Sequence, residues 1–159
     1  MRASLRLLIL LPVFVLCACK EVPPAPPFHP ILDLKQFMLL VIDPAADGVW
    51  DSVKTVMSKN GTEEIQPKTD EQWAAVRSSA ATIAEAANLL MLEGRARDNK
   101  DWMMAVRQLI DTAEKAMKAA EARNPAAVFD AGGEMYEACR GCHRRYAPQF
   151  DTATEGVKK

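Results

Sequence analysis

Cys139-Arg140-Gly141-Cys142-His143, near the C-terminus, brings two thiols and an imidazole into five residues. On a helix, residues three and four apart share a face. Cys139 and Cys142 would then stand on one side, within reach of the two vinyl groups of one porphyrin. His143, beside them, would bring its imidazole under the iron. C-x-x-C-H is the attachment pattern of a c-type haem. Other uses of these residues fit less well. A dithiol redox pair belongs beside a βαβ pattern, and no strand pattern is legible near Cys139. A zinc site takes four ligands, whereas the other cysteines are Cys17 and Cys19 and the other histidine is His29, all near the N-terminus. The expected cofactor is one covalent haem c on Cys139 and Cys142, with His143 as an axial ligand.

The segments that must hold this motif read as helices. Asn124 caps the last of them and Pro125 takes its first position. Val128, Gly132, Met135, Cys139, Cys142 and Tyr146 then fall along one stripe, and Pro148 stops it. Thr69-Asp70-Glu71-Gln72 fits a capping box, after which Trp73, Val76, Ala80, Ile83, Ala87 and Leu90 step by three and four until Gly94. A third helix opens near Asp98 or Asn99 and repeats that stepping from Trp102 through Val106, Leu109, Ala113, Met117 and Ala120. The first opens near Asp33 and is apolar from Phe37 to Ile42. Asp43-Pro44 predicts a kink or break, because proline lacks an N–H and crowds the preceding turn. A continuation from Pro44 to about Met57 is expected, with Trp50, Val53 and Met57 on one face. Asn60-Gly61 would end it, with loop from Thr62 to Lys68. Gly132 and Gly133 sit inside the last helix, either for close approach of a neighbour or as tolerated costs. No strand is expected. Four amphipathic helices with short connections predict an all-α, antiparallel four-helix bundle.

The 159 residues suffice for one domain, and a formal net charge of −1 gives no electrostatic case for nucleic acid. No glycine-rich phosphate-binding motif occurs. Met1 to Ala18 reads as a secretory signal: Arg2 and Arg6 precede an apolar stretch from Leu7 to Leu16. Leu16-Cys17-Ala18-Cys19 resembles a bacterial lipobox. By that resemblance Cys19 becomes the lipidated first residue and Cys17 leaves with the signal. Lys20 stands where an aspartate would signal inner-membrane retention, which favours the outer membrane. Residues 19–30 form a tether, since Pro23, Pro24, Pro26, Pro27 and Pro30 favour polyproline II. His29 is read as a solvated tether residue. Residues 31–148 are the haem domain and residues 149–159 a polar tail.

With C-x-x-C-H on the last helix of such a bundle, the chain resembles the class II cytochromes c, the cytochrome c-prime type. Cys139 to Tyr146 carries the likeness, with Tyr146 as the aromatic three residues after the histidine. Lys35, Gln36, Met38 and Leu39 echo the family's first helix, where a leucine or methionine lies on the distal haem side. Ala147 departs from the pattern, since the family often has arginine there. Asp43-Pro44 is also untypical. The resemblance implies a periplasmic, membrane-tethered carrier of single electrons among periplasmic redox proteins, with a homodimer through the first two helices possible. Met38 as sixth ligand fits that carrier. Leu39 on the distal face instead implies a five-coordinate iron that binds nitric oxide or carbon monoxide. No distal His–Arg pair can be argued, so an enzyme is not expected.

Overall fold

Asp33 opens the first helix. Its carboxylate accepts from Gln36 N at 2.8 Å while Gln36 Oε1 accepts from Asp33 N at 3.1 Å, a reciprocal cap. The computed structural model describes residues 27–150. The expected signal, Cys17, Cys19, most of the tether and the tail after 150 lie outside the described residues. The first helix comprises α1 (Leu34–Phe37), a π-helical segment (Met38–Ile42) and α2 (Asp43–Trp50), with no break between them. The interruption expected at Asp43-Pro44 is absorbed by a wider turn. Asp43 N donates to Met38 O, five residues back. Pro44 cannot bond to the carbonyl four residues before it and would press on that group. A five-residue register just ahead of Pro44 moves that carbonyl off the ring, so the helix continues.

The helix stops at Trp50 and does not reach Met57. Instead β1 (Lys54–Ser58) and β2 (Gly61–Ile65) form an antiparallel hairpin, with Ser58 opposite Gly61. This corrects the expectation of helix and then loop, and of no strands. Met57 is 82% exposed, so the stepping from Trp50 through Val53 to Met57 marks no buried face. Val53, Thr55, Val56, Thr62 and Ile65 are β-branched and suit a strand. Asn60-Gly61 is a hairpin signal, and Gly61 adopts φ 128°, open to glycine at little cost.

Two of the next three helices keep their expected caps, and the third, expected to open near Asp98 or Asn99, begins at Asp101 after Lys100. Thr69 and Gln72 close a capping box on α3 (Asp70–Asn88), which ends in a short 3-10 turn, Leu89–Met91. Asp98 accepts from Lys100 N at 2.9 Å and Trp102 N at 3.0 Å, opening α4 (Asp101–Glu121). Asn124 Oδ1 accepts from Ala127 N at 3.1 Å at the start of α5 (Pro125–Tyr146). A final 3-10 turn spans Pro148–Phe150.

Ion pairs at the helix ends fix the directions. Asp70 at the start of α3 meets Arg123 just past α4, and Asp101 at the start of α4 meets Arg145 at the end of α5. Both neighbours are therefore antiparallel. The first helix packs mainly on α3, where a methyl on Gly48 would collide with the Ser79 side chain. It meets α5 more lightly, through Trp50, whose Nε1 donates to Gly132 O at 2.9 Å. The described residues are thus mostly helical, with four helices and one small two-stranded sheet. Its core is rich in alanine around Trp102, Ile83, Met135, Val49, Val106 and Val128, the largest fully buried side chains. Full burial of a side chain of the Val or Ile class stabilises by about 2 kcal/mol.

Candidate haem site

The last turns of α5 present Cys139, Cys142 and His143, all half-buried, beside exposed Gly141 and Arg144. The expected stripe is observed: Val128, Gly132 and Met135 are buried, and Cys139 packs against the same core. The surroundings of both sulfurs oppose a thiolate. Burial pushes the Cys139 thiol up to about 11, with the charges of Cys142 and Asp43 adding to it. Burial also pushes Cys142 up. Cys142 also sits near the carboxyl end of α5, where the dipole disfavours negative charge. A redox dithiol needs the reverse, an electropositive site that lowers the thiol pKa. The pair is therefore poorly placed for thiol–disulfide exchange.

Asp43, at the start of α2, is close enough for its charge to act on Cys139, and α2 touches α5 lightly. Leu39 and Leu40 lie four and three residues before Asp43, on the turn below it. They are 54% and 64% exposed, an apolar surface left uncovered. Met38 is half-buried and packs against the core. The segment that sequence singled out for the distal face is also the π-helical one, a local form frequent at functional sites.

Three contacts hold the end of α5 to the start of α4. Tyr146 donates its hydroxyl to Asp98. Arg145 Nη2 lies 2.8 Å from Asp101 Oδ2. The Tyr146 and Trp102 rings meet edge to face, centroids 5.0 Å apart. The Tyr146 hydroxyl, with the Trp102 and Lys100 amides, holds Asp98 down to about 2. Burial, with Asp98 second, pushes Tyr146 up. Ala147, standing where the resembled family often has arginine, only closes the helix by donating its N–H to His143 O at 2.8 Å.

His29 is exposed, and among the described residues no three His, Cys, Asp or Glu side chains gather as a metal site. A groove of about 500 Å³ between α4 and α5, lined by Gln108, Asp111, Thr112, Lys115, Gly133, Glu134 and Glu137, contains no Cys or His. Sequence reading missed two features here. It took Asp98 as a helix opener and not as the partner of Tyr146. It also passed over Arg95, which is buried between α3 and α4; no local pattern marks either pairing. Among the described residues no helix is long and apolar enough to cross a membrane. No family model, no curated protein and no solved structure matches the chain.

Proposed function

We propose that this chain is a mono-haem c-type cytochrome, an antiparallel four-helix bundle that carries single electrons. One observation carries the reading: C-x-x-C-H lies on a half-buried helix face, with Cys139 packed against the core and within electrostatic reach of Asp43 on the first helix. The donor set fits the group. Cys139 and Cys142 would hold the porphyrin as thioethers, and His143 would ligate the iron. When bound, haem supplies a one-electron ferric/ferrous couple. The chain's own residues do the rest. Tyr146–Asp98 and Arg145–Asp101 fix the turn that bears His143. Leu39 and Leu40 offer an apolar cover that would keep water from the porphyrin. Lipidation of Cys19 would tether the domain on the periplasmic side of a membrane, the outer one favoured by Lys20. Its partners would be periplasmic redox proteins, and a second copy could pack on the first two helices.

A second reading has one observation behind it. Leu39 is exposed while Met38 packs on the core. A leucine has no donor atom, so Leu39 over the iron would leave it five-coordinate and able to bind nitric oxide or carbon monoxide.

The test is haem attachment in a host with a c-type maturation system. The expected product keeps its haem through acid-acetone extraction and denaturing electrophoresis, and Cys139→Ser with Cys142→Ser releases it. Haem that stays bound in the double variant, or a wild type that never acquires it, overturns the reading. Absorption spectra in both oxidation states then separate carrier from gas binder by spin state.

A further inference from the structure

The loop joining α3 to α4 buries a charged side chain. Arg95 is 7% exposed. Its Nη2 donates to Leu32 O at 3.1 Å. Its guanidinium carbon lies 4.3 Å from the Phe37 ring centroid and 5.3 Å from that of Phe28. Aromatic rings satisfy the faces of a guanidinium, not its in-plane N–H groups. Nε and Nη1 are buried with no partner among the described residues. Arginine stays charged at any ordinary pH, and a buried charge left unpaired is strongly destabilising. Nε and Nη1 face different edges of the guanidinium, so an anion with two oxygens, a carboxylate or a phosphate, would pair one of them together with the second Nη2 hydrogen.

The position of Arg95 says which anion is near. Phe37, under the guanidinium, directly precedes Met38. Asp98, three residues beyond Arg95, accepts from Tyr146, three residues beyond His143. The orphaned nitrogens and the candidate haem ligands therefore share one end of the molecule. We infer that Arg95 is the binding site for a carboxylate of the prosthetic group, one of the two haem propionates. This rests on the cytochrome reading. It assigns the α3–α4 loop, which bears none of the motif residues, a place in the haem pocket. A propionate there gives one of those nitrogens its partner, and Arg95 fixes the in-plane orientation of the porphyrin.

The test uses matured holoprotein whose propionate carboxyl carbons carry ¹³C. Reduced-minus-oxidised infrared difference spectra pick out the propionate bands by their isotope shift. The expected result is that Arg95→Gln moves the bands of one propionate and leaves the other in place. Arg95→Lys keeps the charge but not the fork, and should move the same bands by less. It also serves if the glutamine variant does not fold. Propionate bands identical in wild type and both variants, with covalent haem retained, overturn the assignment and leave the cytochrome reading standing. A wild type without covalent haem overturns both. Inorganic phosphate tests the other source of the same chemistry. If phosphate raises the melting temperature of wild-type holoprotein but not of Arg95→Gln, while the propionate bands coincide, the site takes a free anion and the propionate assignment falls.

Discussion

The Tyr146 hydroxyl donates to the Asp98 carboxylate across 48 positions of sequence. The same carboxylate accepts from the Trp102 and Lys100 amides. One acidic side chain therefore starts α4 and anchors the last turn of α5. Because that turn lies just past His143, the pairing sets where the proposed iron ligand sits.

Asp98 should make stability depend on pH in a stated direction. Its hydrogen bonds hold it at about 2 against an ordinary 3.8. A carboxyl whose folded pKa is depressed stabilises the fold above its unfolded pKa. That contribution falls away as pH drops from near 3.8 toward 2. Asp98→Asn should therefore melt below wild type at neutral pH, and the two should converge as pH approaches about 2. Equal melting temperatures at neutral pH would remove Asp98 from this role.

The paired glycines of α5 should respond differently to alanine. A methyl on Gly132 would come within 3.2 Å of Trp50 Cδ1 and disturb the Trp50–Gly132 hydrogen bond. Gly133 has nothing within 4 Å of the same position. Gly133→Ala should stabilise by up to about 1 kcal/mol, the usual helix penalty of glycine. Gly132→Ala should forfeit that gain, because Trp50 must shift to admit the methyl, and should melt below Gly133→Ala with shifted Trp50 fluorescence. Chemical denaturation of the two variants decides it, and a destabilised Gly133→Ala would show that the site is not open.

The helices and the motif were legible because each is written locally. Thr69 to Gln72, Asn124-Pro125 and Asp98 state their caps within four residues, and the stripes on α3, α4 and α5 repeat with the helical period. The hairpin was not, because Trp50, Val53 and Met57 match a helical period by coincidence while the β-branched residues between them match a strand. Asn60-Gly61 can stop a helix, but here it turns a hairpin. The π-helical segment follows from Pro44, yet whether a proline breaks a helix or widens its turn depends on tertiary support for the following residues, here Ala45, Ala46 and Val49, all buried. Arg95 and the Asp98–Tyr146 pair join distant segments, and no periodicity reports that.

The thiols of the haem-free chain should be sluggish. With Cys139 at about 11 against an ordinary 9.0, its thiolate fraction at neutral pH is about a hundred-fold below that of an unperturbed thiol. Iodoacetamide should therefore alkylate Cys139 of folded apoprotein far more slowly than Cys139 of the same chain in denaturant. Peptide mapping separates it from the other cysteines. A folded-state rate equal to or above the denatured one would mean that the thiol is neither buried nor opposed by Asp43.

On the cytochrome reading, the sharpest point of chemistry is whether the iron would take a sixth ligand. Met38 and Leu39 are neighbours on the π-helical segment, so only one can point straight at an iron beside Cys142. Leu39 is the more exposed of the two, but it has no atom to donate. Met38 has a thioether on a long, flexible chain, half-buried at the edge of the core. If Met38 ligated the proposed iron it would give up its core contacts for that bond, and His/Met ligation would raise the potential as a carrier requires. The expected wild type is low spin, and Met38→Leu should turn it high spin with ready carbon monoxide binding. Leu39→Ala should leave the spin state unchanged. A wild type already high spin, with Met38→Leu indistinguishable from it, would transfer the distal face to Leu39 and favour the gas-binding reading over electron transfer.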